Sequence, residues 1–230
     1  MSTPIQPDDF DALSRILDTR YSCRAYRPDP VPREVIQTIT AAAGRAPSWC
    51  NAQPWQLIVT AGDETEAFRA RLMQAAQEED GKADFDFPAS YSGALQERRR
   101  TCGWQLYEAV GVEKGDRAGS AKQTMENFRL FGAPHVAILT TARELGPYGA
   151  MDCGGFVTAF TLAATAAGVA TIAQAAVAGY SDQVRAHFDI PEDRMIACAI
   201  SFGYADTDHP ANSFRTARAP LGEVLDLRGA

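Results

Sequence analysis

Phe10, Leu13, Ile16 and Leu17 recur at helical spacing after Pro7-Asp8-Asp9, which predicts a first helix. Residues 21–32 hold three prolines and read as a loop. Pro32 suits the first position of a second helix, in which Val35, Ile36, Ile39, Ala42 and Ala43 form a buried stripe ending at Gly44. A second loop at 47–54 leads into a short strand at 55–60, and helical spacing returns over 64–77. Between 78 and 130 charge is dense, Gly and Asp are frequent and periodicity is patchy, which predicts a helical, lid-like excursion with loops. Strand character resumes at 133–141. A helix of small residues is predicted from about 151 to 167, closed by Gly168; its Ala and Gly faces permit close approach of a second helix or a planar ligand. A short helix at 181–188 and the strongest strand, 195–204, follow. Beyond 206 core character is lost until Leu221, Val224 and Leu227, so 207–230 reads as a C-terminal arm. Helices alternating with a few strands predict a single α+β sandwich domain over 1–230.

Composition narrows the function classes. With 230 residues, 46% of them hydrophobic, the chain can bury a sizeable core. A net charge of -7 argues against a duplex nucleic-acid partner, which needs a basic face, so any functional arginines act locally. No apolar run approaches the roughly 18 residues of a membrane span. The start, Met1-Ser2-Thr3-Pro4-Ile5, lacks the basic region and apolar core of a signal peptide. A soluble, cytoplasmic protein without a membrane partner is expected. Cys23, Cys50, Cys102, Cys153 and Cys198 form no CxxC pair, and His135, His187 and His209 lie far apart, so free thiols and no metal site are expected.

Three segments carry candidate chemistry. In Arg20-Tyr21-Ser22-Cys23-Arg24-Ala25-Tyr26, Arg20, Ser22 and Arg24 alternate along an extended stretch. A phosphate monoester favours forked guanidinium donors with a hydroxyl, and this pattern offers both. Taken alone, the heptad is better explained as a solvated loop with Arg20 supporting a helix C-terminus. In Ala46-Pro47-Ser48-Trp49-Cys50-Asn51-Ala52-Gln53-Pro54-Trp55, two prolines stiffen a loop from which Ser48, Asn51 and Gln53 offer hydrogen bonds. Such groups suit the rim of a flat heteroaromatic ring, and an ordinary turn with an Asn explains them as well. Arg215-Thr216-Ala217-Arg218-Ala219-Pro220-Leu221 says nothing by itself.

Together and in order, these segments resemble the FMN-dependent nitroreductase family. The resemblance rests on Arg20-x-Ser22-x-Arg24-x-Tyr26 and on Pro47-Ser48-x-x-Asn51-x-Gln53-Pro54-Trp55. Phe131-Gly132-Ala133-Pro134, the small residues of 149–178 and Arg218-Ala219-Pro220-Leu221 extend it over nearly the whole chain. It implies an α+β sandwich with a central, mainly antiparallel sheet flanked by helices, forming an intertwined homodimer with FMN at the interface. Arg20, Ser22 and Arg24 would meet the phosphate and ribityl end, joined by Arg218, with Arg215 a weaker match. Pro47, Ser48, Trp49 and Asn51 would face the ring from the partner subunit. A turn at Ile172-Ala173-Gln174-Ala175 would bring backbone amides near flavin N5 and O4. Tyr21 would contribute backbone at most.

The implied activity is ping-pong transfer of electrons from NADH or NADPH to a small oxidised aromatic, first of all a nitroaromatic. No catalytic side chain is required, because the chemistry resides on the cofactor. Quinone or enone reduction, reductive dehalogenation, and flavin binding or remodelling without nicotinamide turnover would use the same grip. Cys50 beside Asn51 suggests a thiol hydrolase, but no His lies in that loop, and a packed thiol near the flavin is the expected role. Gly115-Asp116-Arg117-Ala118-Gly119-Ser120-Ala121-Lys122 lacks the ending of a phosphate loop and is expected to lead into a lid helix.

Overall fold

The computed structural model describes residues 6–229; Met1 to Ile5, used above for the absence of a signal-like start, lie outside the described residues. In chain order the helices are α1 (Asp9–Thr19), α2 (Arg33–Ala43), α3 (Asp63–Glu78), α4 (Gly93–Ala109), α5 (Arg117–Met125), α6 (Gly146–Ala166), α7 (Ala175–Ala178) and α8 (Ser181–Phe188). The strands are β1 (Gln56–Val59), β2 (His135–Ala142), β3 (Ala170–Gln174) and β4 (Arg194–Gly203). They form one antiparallel sheet in the order β1-β2-β4-β3.

Strand β2 shows why the sheet is sandwiched. Its alternating side chains enter two cores: Ala137 and Leu139 pack with Phe156, Phe160 and Ile39 from α6 and α2, whereas Val136 and Ile138 pack with Phe68, Leu72 and Val184 from α3 and α8. Phe68, Phe156 and Phe160 are fully buried, each stabilising the fold by roughly 1.5–3 kcal/mol relative to exposure.

The pattern-derived elements need four adjustments. Pro32 caps α2 in extended geometry (ψ 143°) and is not its first helical residue. α6 begins at Gly146, five residues ahead of the expected start at 151, because Gly146-Pro147 looks like a turn although proline is well tolerated in a first helical turn. The segment expected as a turn at 172–175 is the end of β3 followed at once by α7. The 78–130 excursion resolves into a loop at 79–92, then α4 and α5. Asp116 caps α5, accepting from the Gly119 amide at 2.8 Å.

Candidate functional site: a groove along α6 and β3

β3 is an edge strand: β4 pairs with one side, and the other meets only an isolated bridge between Thr171 and Ser22. The Cys23 amide donates to the Thr171 carbonyl at 3.0 Å, fixing the segment after α1 beside the start of β3. Beyond that bridge the outer edge of Ile172 to Gln174 has no neighbouring strand among the described residues.

A groove runs along this edge. One end is a cavity of about 220 Å3, walled by Arg20, Ser22, Thr158, Thr171, Ile172 and Ala173. The other is an apolar cavity of about 410 Å3, walled by Phe85, Phe87, Gly154, Ala175 and Cys198 among others. Val157 of α6 lines both, so the cavities adjoin. The small residues of α6 matter here: a Cβ built on Gly154 meets nothing within 4 Å, so this glycine faces open space.

The narrow end is electropositive. The Arg20 guanidinium is held below its ordinary pKa first by burial and then by the positive charge of Arg218. Arg218 of the C-terminal segment is thus near enough for its charge to act on Arg20, although it lines neither cavity. Arg218 itself donates to the Thr216 hydroxyl at 2.9 Å and to the carbonyls of Thr216 and Ala217 at 3.1 Å. Among the described residues no carboxylate pairs with either arginine. Thr171 Oγ1 is buried in the same wall without a hydrogen-bond partner.

The other arginines are placed differently. Arg24 donates to the Ser22 carbonyl at 3.1 Å, lies 5.6 Å from the Phe214 ring, and lines a separate hollow of about 630 Å3 with Tyr26, Lys122 and Arg129. Arg215 sits 3.6 Å over the Tyr21 ring and donates to the Asn212 and Phe214 carbonyls at 2.8 Å. That stacking gives Tyr21 a side-chain role absent from the sequence reading.

The loop holding Pro47, Ser48, Trp49 and Asn51 packs against α6 but lines neither cavity of its own chain. Asp152 Oδ1 accepts from the Trp49 amide at 3.0 Å, Ser48 Oγ accepts from the Gln53 amide at 2.9 Å, and the Trp49 ring lies 5.1 Å from Tyr148. Cys50, Asn51 and Gln53 have φ of 50°, 56° and 47°. Left-handed conformations at non-glycine residues cost about 1–3 kcal/mol each and cluster at functional sites. Trp49, 61% exposed, is held outward from the subunit.

Gln174 is withdrawn from the groove. Its amide nitrogen donates to the Asn127 carbonyl at 2.8 Å and its amide oxygen accepts from Ser201 Oγ, leaving only backbone to face a ligand. Cys50 is exposed, contrary to the expected packed thiol, because its left-handed backbone lies on the outer rim of the loop. Cys23 and Cys153 are buried and Cys198 is half-buried; Cys153 and Cys198 line the apolar cavity, and burial pushes them up to about 11 and about 12. No histidine serves Cys50. His135 accepts from the Val31 amide and pairs with the Thr60 carbonyl, His187 contacts Glu64, and His209 accepts from the Ala211 amide. Asp152, Thr171 and Arg215's aromatic partner Tyr21 carried no motif in the sequence; only their places in the fold reveal them.

An α+β sandwich whose groove runs from two unpaired guanidinium groups to an apolar slot defines a protein built to hold a flat, phosphorylated ligand. Residues 17–204 match the Nitroreductase family, and the chain belongs to that family. It is 37% identical over 230 residues to nitroreductase NfnB of Mycolicibacterium smegmatis, covering 97% of this chain and 98% of that protein. A 4-nitrobenzoate reductase of Pseudomonas putida is 32% identical over 211 residues, covering 92% of each. The crystal structure of the FMN-dependent NfnB from Mycobacterium smegmatis in complex with NADPH superposes with a TM-score of 0.91 at 36% identity, covering 95% of this chain and 99% of that one.

Proposed function

We propose that the chain is an FMN-dependent oxidoreductase passing electrons from NADH or NADPH to a small oxidised aromatic, first of all a nitroaromatic, by a ping-pong mechanism. The observation that carries this reading is the narrow end of the groove, where Arg20 lines the wall with Ser22 and an unpartnered Thr171 hydroxyl, feels the charge of Arg218, and has no carboxylate partner among the described residues. Two adjacent cations are costly unless an anion joins them, and a phosphate monoester supplies about two negative charges. The unpartnered Thr171 Oγ1 and the open space at Gly154 fit the same ligand. Names of relatives, an FMN-dependent nitroreductase with NADPH and a 4-nitrobenzoate reductase, support the cofactor, the donor and the acceptor class.

In this reading Arg20, Ser22 and Arg218 hold the phosphate. Arg24, whose side chain lines a separate hollow of its own chain, serves the ribityl end through the Ser22 carbonyl it holds. The outer backbone edge of Ile172, Ala173 and Gln174 faces the ring rim, and Gly154 leaves room for the ring on α6. Bound FMN supplies reversible two-electron chemistry at N5, so the protein's work is orientation and electrostatics. Donor and acceptor share one opening in turn, with residues 78–130 forming its lid-like wall.

The chain acts as a cytoplasmic homodimer in the same proposal. The 47–53 loop points away from its own groove, so Pro47, Ser48, Trp49 and Asn51 serve the cofactor of a second copy. Exposed Phe10, Leu13 and Leu17 on α1 and Leu221, Val224, Leu225 and Leu227 on the C-terminal arm are the apolar surfaces such a dimer would cover. No helix among the described residues is long and apolar enough to cross a membrane.

The test is direct. The purified protein should be yellow, release FMN on denaturation, bleach anaerobically with NADPH or NADH, and regain colour on adding a nitroarene. Flavin whose colour neither nicotinamide changes would replace this reading with a flavin-binding role.

A further inference from the structure

Asp84 lies in the loop between α3 and α4, its side chain 10% exposed. Its carboxylate accepts from Arg185 Nη2 at 2.7 and 3.0 Å, from Arg143 Nη2 at 3.1 Å and from the Ile196 amide at 2.8 Å. The Asp84 amide donates to Ser181 Oγ at 3.2 Å, and the Ser181 amide donates to the Lys82 carbonyl at 2.9 Å. A Cβ at Gly81 would stand 2.6 Å from the Gly179 carbonyl oxygen, so only glycine lets the loop lie this close to the end of α7. The loop is therefore clamped where it passes the groove.

The next three residues, Phe85, Asp86 and Phe87, all line the apolar cavity. Phe87 packs on Gly179, its ring 3.4 Å from the position of a Cβ there. The cavity wall thus carries one carboxylate, Asp86, and no lysine, arginine or histidine among the described residues. Arg143 and Arg185, the cations that accompany the segment, are both committed to Asp84.

We propose that this wall selects uncharged nitroarenes over carboxylate-bearing ones, with Asp86 the discriminating residue. The inference rests on the reading of the groove as the flavin site with the acceptor entering beside it. Between the flavin ring on α6 and the Phe85–Phe87 wall of the same cavity, a nitrobenzoate would lose part of its hydration, find no cation from this chain and meet the Asp86 charge. An amide of the same size and ring meets neither cost, while Phe85 and Phe87 offer aromatic contact to both. In this respect the chain departs from the Pseudomonas relative, whose name gives an anionic substrate.

The experiment compares 4-nitrobenzamide with 4-nitrobenzoate. Each is titrated calorimetrically into the oxidised, FMN-loaded protein without reductant, and kcat/KM is measured separately with saturating NADPH. The amide should bind tighter than the acid by about ten-fold or more. Because Asp86 is exposed at the cavity rim, substitution there is compatible with folding. Asp86→Asn should narrow the affinity ratio and Asp86→Lys should reverse it, with the kcat/KM ratio moving the same way. Equal affinities in the unsubstituted protein, or a ratio that neither substitution moves, would overturn the selectivity while leaving the flavin reading intact. A protein that takes up no FMN overturns both.

Discussion

Arg20 lines the narrow end of the groove, and the charge of Arg218 reaches it, adding to burial in lowering the pKa of Arg20. The pair links the end of α1 to a segment almost two hundred residues later. Its energetic logic is that of an anion site: repulsion in the free protein becomes shared attraction once a phosphate lies between the two. Each charge-assisted hydrogen bond to that phosphate stabilises the complex by about 1.5–3 kcal/mol. Arg20→Ala and Arg218→Ala should therefore each weaken FMN binding by roughly 10- to 100-fold. Fluorescence titration of FMN with apoprotein measures this, and melting of the apoproteins should show no matching loss. An unchanged dissociation constant in either variant would remove that arginine from the phosphate grip.

Gly154 and Gly149 lie on the same helix and should respond oppositely to added bulk. A Cβ at Gly154 meets open space, whereas one at Gly149 would come within 2.5 Å of Thr141 Oγ1. Gly154→Phe should leave the melting temperature of the apoprotein near its original value, because glycine disfavours a helix interior by about 1 kcal/mol relative to Ala. The same ring should fill the groove and abolish FMN uptake. Gly149→Ala should instead lower the melting temperature through overpacking, which typically costs about 1–3 kcal/mol. Normal flavin content in Gly154→Phe would place the cofactor somewhere other than along α6.

The contrast between these glycines marks how far the sequence reaches. Periodicity located α1, α2, α3 and α8 and both central strands, because burial on two faces leaves long apolar runs such as 135–142. It missed β3, whose Ala170-Thr171-Ile172-Ala173-Gln174 is short, alternates weakly and lies at a sheet edge. Order along the chain and the Arg218-Ala219-Pro220-Leu221 motif joined Arg218 to Arg20 and left Arg215 a weaker match, which the fold stacks on Tyr21. Asp84 and Asp152 were equally illegible. Each is one carboxylate among many until the fold brings Arg185 or the Trp49 amide to it.

Cysteine reactivity should follow burial. Burial raises Cys153 to about 11 and Cys198 to about 12 from an ordinary 9.0, so both are neutral thiols at pH 8. Cys50 is exposed and Cys102 is half-buried. A thiol reagent at pH 8 should label Cys50 first and Cys102 next, sparing Cys23, Cys153 and Cys198 until unfolding. The raised pKa values also carry a stability consequence. The folded state favours the protonated thiols, so their contribution is fully present below about pH 9 and is lost as pH rises toward 11–12. Cys153→Ala/Cys198→Ala should therefore lose less stability than the parent between pH 9 and 11, as read by urea denaturation. Rapid labelling of Cys153 in the folded protein would contradict its burial.

The Asp84 clamp supplies the sharpest stability test. Arg185 has a side chain only 9% exposed and takes both Asp84 oxygens, while its other terminal nitrogen donates to the Pro191 and Arg194 carbonyls at 2.9 Å. Removing one member of a buried ion pair strands the other, typically at about 3–5 kcal/mol. Asp84→Ala should thus lower the melting temperature by on the order of 10 °C for a chain of this size. Glu192, 3.7 Å from Arg185 Nε but 88% exposed, is too solvated to replace Asp84. Asp84→Ala/Arg185→Met should recover much of the loss, because the stranded charge is gone. Thermal melts of the two variants in the FMN-loaded state decide the matter. A drop below about 2 °C in the single variant, or no recovery in the double, would show that the loop is held by Gly81, Lys82 and Ser181 and not by its carboxylate.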